Sequence, residues 1–208
     1  SSLNFTFNQI VNRQIEVTLL LISPLLPLFL LFLPQLTVSL YSGKFLPALS
    51  MAQVLVLAMY VRAIRLPVEY IPLAKGDSRS YLLLESLYDV CLAALVIVGF
   101  RQWGFFGAGA GVAAAGIFSF VFVYVYARFH YGYRQSSSVL RCAAVQLSIG
   151  FFVFLCVRSD SGWLRWGLAA ALCVVSMMVS FRVLKLKTGL WNVLISRLKN
   201  KFIRHAKD

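Results

Sequence analysis

The sequence predicts an all-α membrane protein, a polytopic bundle of about six spanning helices, and three observations support that expectation. The 208 residues are 60% hydrophobic and only 13% charged, with a mean hydropathy of +0.80. A soluble domain of this length has too little interior to hide so much apolar surface. The apolar residues fall into runs, each near the roughly 20 residues a helix needs to cross a hydrocarbon core. Charge is also segregated. If successive spans alternate in direction, most basic residues, among them Arg13, Lys75, Arg128, Arg134, Arg182 and Lys185, collect on one side, against Lys44, Arg101, Arg158 and Arg165 on the other. The positive-inside rule then places both termini in the cytoplasm. The net charge of +13 therefore points to a lipid bilayer as partner, not to nucleic acid.

The expected spans are 15–40, 49–71, 81–100, 108–127, 139–157 and 163–184. The first contains Pro24, Pro27 and Pro34. Proline lacks a backbone donor and clashes with the preceding turn, so this helix is expected to kink or unwind. The three prolines are either a fixed bend or a hinge that moves in a working cycle. The second span carries Arg62, Arg65 and Glu69 at i, i+3 and i+7, within about 60° of arc, and the third carries Glu85 and Asp89 one turn apart on a single face. Between the third and fourth spans, Trp103, Phe105 and Phe106 suit an interfacial aromatic belt.

In the fourth span Gly107, Gly111 and Ala115 recur every four residues, with Gly109 and Ala113 on an adjoining face. Small residues at that spacing let helix backbones approach closely. Tyr124, Tyr126, Tyr131 and Tyr133, interleaved with Arg128 and Arg134, mark the inner interface, and Trp163 and Trp166 open the last span. Residues 1–187 form the bundle. In residues 188–208, Leu190, Trp191, Leu194, Ile195, Leu198 and Phe202 share about 140° of helical arc, with most of the basic residues outside it. A basic amphipathic helix lying on the cytoplasmic leaflet is expected there.

The charges inside the spans are the candidate site. Each costs roughly 2.5–3.5 kcal/mol near the centre of a membrane helix, so a cluster needs a reason. Antiparallel second and third spans bring Arg65 and the carboxylates to similar depth. Glu69, Glu85 and Asp89 are candidates for ion coupling or for a structural ion pair. Arg62, deeper and with no obvious acid partner on its own helix, suits phosphate recognition through charge and bidentate geometry.

Catalysis finds little support. His130 and His205 lie in a loop and the tail, no carboxylate accompanies them at an instructive spacing, and no nucleophile or phosphate-loop motif occurs. The chain is not expected to be an enzyme. Cys91, Cys142, Cys156 and Cys173 lie inside spans without paired spacing and read as small packing residues. No metal site or cofactor is expected.

The segment Asn12-Arg-Gln-Ile-Glu-Val17, the turn Leu40-Tyr-Ser-Gly-Lys-Phe45, and the run from Arg65 to Asp77 followed by Tyr81-Leu-Leu-Leu-Glu85 together resemble the C-terminal part of polysaccharide flippases. These are the O-antigen translocase-like members of the multidrug/oligosaccharidyl-lipid/polysaccharide exporter superfamily. The resemblance covers about residues 10–90 and continues beyond only as hydropathy and loop placement. It implies a two-lobe inner-membrane transporter that flips an undecaprenyl-diphosphate-linked oligosaccharide by alternating access, in lipopolysaccharide or related polysaccharide biosynthesis. On that resemblance, this chain would be the final part of the C-terminal lobe. The implied partners are the N-terminal lobe of the same protein, the lipid-linked glycan, and glycan polymerases or glycosyltransferases. The family's cavity is cationic, and Arg62 and Arg65 are the positions that match it here. A cation-coupled multidrug or small-solute antiporter is the main alternative, followed by a non-transporting membrane scaffold.

Overall fold

A computed structural model describes residues 2–41, 46–159, 162 and 164–188. Its elements are α1 (Ser2–Ile22), α2 (Leu25–Tyr41), α3 (Leu46–Glu69), the single turn α4 (Ile71–Ala74), α5 (Ser78–Tyr131), α6 (Ser137–Arg158), a π-helical turn (Leu164–Leu168) and α7 (Ala169–Thr188). No strand occurs among the described residues.

Five helical segments are long and apolar enough to cross a membrane, Phe7–Leu40, Leu46–Ala74, Ser78–Tyr131, Ser137–Arg158 and Trp166–Lys185. Six were expected. The third and fourth expected spans both fall in α5, whose 54 residues count as one segment although the helix is interrupted at Trp103 and Gly104. It is folded back on itself. Trp103 (φ −131°, ψ 17°) and Gly104 (φ 60°, ψ −140°) leave helical geometry. Gly104 sits where an L side chain is strained, so glycine makes this reversal possible. Beyond it the limbs run antiparallel, with Ser80 hydrogen-bonded to Tyr126 at 2.7 Å and Asp77 to Tyr131 at 2.7 Å.

The small residues decide how closely the limbs pack. A methyl group on Gly111 would lie 2.5 Å from the Leu95 carbonyl oxygen, and one on Gly99 would overlap the carbonyl of Gly107. A methyl on Gly109 would instead meet α3, 3.0 Å from the Met51 carbonyl oxygen. The two glycine faces thus seat two different neighbours, the first limb of α5 and α3.

The N-terminal helix breaks at Ser23–Pro24, between α1 and α2. Pro27 falls in the first turn of α2 and Pro34 inside it. Near α3's C-terminal end Pro67 is accommodated within the helix, which stops at Glu69, and Asp77 caps α5 by accepting from the Ser80 amide at 3.1 Å.

The exterior is apolar, and a few polar side chains are buried in a core that is otherwise mainly hydrophobic. Leu83, Val90, Ile97, Phe129 and Met177 are exposed, whereas Arg65, Glu69, Gln146, Ser176 and Ser180 are buried. An apolar exterior on helices long enough to cross a bilayer is what lipid as solvent requires, so the bundle is a membrane protein. Its basic end gathers Lys75 over the rings of Phe7 and Tyr131, at 5.1 and 5.4 Å. At the other end Arg158 lies over Phe106, at 5.5 Å. Residues 189–208, which include the expected amphipathic tail, lie outside the described residues.

Candidate functional site

Arg65 and Glu69 sit one turn apart on α3 and are only 2% and 1% exposed. Arg65 Nε lies 3.5 Å from Glu69 Oε2. Its Nη1 donates to Ser119 Oγ at 2.8 Å, and its guanidinium carbon stands 3.8 Å from the centroid of the Tyr88 ring. Tyr88 belongs to the first limb of α5 and Ser119 to the second, so one guanidinium ties α3 to both. The pair is not saturated: Arg65 Nε and Glu69 Oε1 have no hydrogen-bond partner among the described residues. Buried charges are held only by partners, so this cluster is sensitive to any change nearby.

Arg62 is placed differently. It is exposed, as is Asp89, while Glu85 is half-buried. Glu69 interacts electrostatically with Arg65, Glu85 and Arg62, so four of the five predicted charges form one cluster. Arg62, Arg65, Met59, Tyr88, Val112 and Gly116 share a cleft of about 30 Å³, room for about one or two water molecules. At 1.5 Å per residue, Arg62 lies about 18 Å from Ala74 along the apolar span Leu46–Ala74, and Asp89 about 17 Å from Ser78 along the first limb of α5. Both therefore stand near the middle of apolar helices.

Comparison of the chain with protein-family models, curated proteins and solved structures yields no match in any of the three.

Among the described residues no group of His, Cys, Asp and Glu is arranged to hold a metal ion. The cysteines Cys91, Cys142, Cys156 and Cys173 are free thiols.

A second polar cluster lies at the break between α1 and α2, and the sequence reading missed it. Tyr60 Oη donates to the Ser23 carbonyl at 3.3 Å, and Ser176 Oγ lies at the same distance from that oxygen. Ser176 Oγ also donates to Gln146 Oε1 at 2.8 Å, and Gln146 Nε2 donates to Ser180 Oγ at 2.9 Å. The prolines were the available signal: a carbonyl four residues before a proline loses its helical donor. That rule marks Ser23, ahead of Pro27, but does not say which helix supplies the replacement.

Proposed function

We propose that this chain is one lobe of a membrane carrier whose cargo is a polyprenyl-diphosphate-linked oligosaccharide, with Arg62 presenting its guanidinium to the diphosphate. The observation behind this reading is the exposure of Arg62 and Asp89 at mid-depth on apolar helices. A charge facing hydrocarbon there is costly, so that face suits water or a second protein body better than lipid. A carrier supplies both: a companion lobe and a wet cleft between the two. Arg65 takes a positioning role, clamped by Glu69, Ser119 and Tyr88, and keeps α3 and both limbs of α5 in register behind Arg62. Counting the limbs of α5 separately gives six crossings, with the basic end in the cytoplasm of an inner membrane.

Moving a diphosphate and sugars past a hydrocarbon layer requires replacing their hydration, which a guanidinium does through charge-assisted, bidentate hydrogen bonds. Rocking one lobe against the other would carry the headgroup while the lipid tail stays in the bilayer. Asp89 at the same depth favours a second reading, in which the cleft attracts a cation and the chain is a lobe of an antiporter. Arg62→Ala in the complete protein separates them. Loss of glycan display at matched membrane level, with lipid-linked glycan accumulating on the inner leaflet, supports the first reading. Normal display rules out a role for Arg62 in it.

A further inference from the structure

Arg62 and Asp89 carry opposite charge, are both exposed, and stand at nearly the same depth, about 18 and 17 Å of helix from the basic end of the bundle. We propose that the face carrying them docks a second copy of this chain, with Arg62 of each copy paired to Asp89 of the other. As an identity for the companion lobe this rests on the carrier reading, but as an interface it can fail or stand separately.

The two residues open on one flank of the molecule. Arg62 shares its cleft with Tyr88, the residue before Asp89. Glu85 and Asp89 lie one turn apart on a single face of the first limb of α5. Glu85 is near enough to Glu69 to interact with it, so that face is turned toward α3 and Asp89 stands beside the α3–α5 seam. The limb packs chiefly on α3 and α4, which leaves its outer side uncovered.

Neither charge has an ion-pair partner among the described residues. Lipid is a poor occupant for such a face, since a charge in hydrocarbon is costly at this depth. A two-fold axis along the membrane normal keeps every residue at its own depth and lays the face on itself. Residue i of one copy then meets residue j of the other, and the reverse. Because Arg62 and Asp89 differ in depth by only about one residue rise, the operation forms the pair twice. An unrelated partner would need an acid and a base in matching places; a second copy has them already.

The surroundings suit helix packing. Asp89 is framed by exposed Leu82, Ser86, Val90 and Ala93, and Met59 lies exposed one turn from Arg62. Small and apolar side chains of this kind let helices from two copies come together in a bilayer. Where the interface borders a wet cleft, the ion pairs are weakly held, so a diphosphate can displace Asp89 from Arg62.

The test places the full chain in phosphatidylcholine vesicles at low density and counts copies by single-molecule photobleaching. The wild type is expected in pairs. Arg62→Asp and Asp89→Arg each set like charges against one another across the axis, and each should weaken pairing by at least about tenfold. Mixing the two variants restores opposite charges in trans, so mixed pairs should return to the wild-type level. Arg101→Asp, at the other end of the limb, should pair as the wild type does. Circular dichroism checks folding. If a reversal does not fold, Arg62→Gln and Asp89→Asn replace it, and their mixture, which regains one of the two ion pairs, should form more mixed than like pairs. Single copies of the wild type, pairing indifferent to both reversals, or a mixture that stays single because the charges pair within one copy, each overturns the proposal. Single wild-type copies together with lost glycan display in Arg62→Ala would sink the dimer and leave the carrier reading standing. Paired copies with normal display in that variant would do the reverse.

Discussion

The Tyr60 hydroxyl on α3 donates to the backbone carbonyl of Ser23, at the break between α1 and α2. In an uninterrupted helix that carbonyl would accept from residue 27, which is proline and has no donor. Ser176 Oγ is equally near the Ser23 oxygen but closer to Gln146 Oε1. A serine hydroxyl has one proton, so the shorter contact leaves Tyr60 as the main donor to Ser23. Tyr60→Phe keeps the volume and removes that donor. It should destabilise the bundle by about 1–3 kcal/mol, the cost of orphaning a buried carbonyl. Equilibrium unfolding in detergent measures it, and an unchanged midpoint would show that the break is held by packing alone.

The antiparallel limbs of α5 depend on backbone contact at Gly111, where a methyl would lie 2.5 Å from the Leu95 carbonyl oxygen; around Gly116 nothing lies within 4 Å. Gly111→Ala should therefore cost about 1–3 kcal/mol through overpacking. Gly116→Ala, five residues further on, should be neutral or slightly stabilising, because alanine loses less backbone entropy in a helix. Equal Tm values for the two variants would contradict the limb packing described above.

Much of this was legible because it is periodic. Gly107, Gly111 and Gly109 repeat at helical spacing, and their faces find the partners such spacing implies. The break at Pro24 follows from a missing donor. Arg62, Arg65 and Glu69 share an arc, but spacing cannot say how deep that arc is sunk. A small rotation of α3 is enough to leave Arg65 sealed against Tyr88 and Arg62 exposed. Tyr60, Gln146 and Ser176 gave no signal, since single polar residues in apolar helices have no period and their partners come from distant segments. The break in α5 at Trp103 and Gly104 falls inside the aromatic-rich stretch that the sequence marks as the junction of two spans.

At the α4–α5 turn, Asp77 offers a pH test. Hydrogen bonds from the Ser80 hydroxyl at 2.6 Å, the Tyr131 hydroxyl at 2.7 Å and the Ser80 amide hold its carboxyl down, at about 2. The folded value lies below the unfolded one of about 3.9. Its contribution is therefore present above about pH 4 and is lost as pH falls toward 2. Asp77→Asn lacks that contribution at every pH. The Tm gap between wild type and variant should be widest near neutrality and should close between pH 4 and 2. A gap that stays constant through that window would mean that the carboxylate is not what holds the turn.

Arg65 and Arg62 should separate by the kind of damage they cause. Removing the Arg65 guanidinium leaves Glu69 buried and uncompensated, which should cost about 3–5 kcal/mol. The double variant Arg65→Met/Glu69→Leu removes both charges while filling similar volume, and it should recover most of that loss. Arg62→Ala, at an exposed position, should change stability by less than about 0.5 kcal/mol. Unfolding midpoints of the four proteins, wild type included, decide the matter. If Arg62→Ala proved as costly as Arg65→Ala, Arg62 would be part of the structural network and the case for it as a contact to cargo would fall. If the double variant proved no better than Arg65→Ala, the guanidinium would stabilise the bundle mainly through Ser119 and Tyr88, and Glu69 would be the residue left to explain.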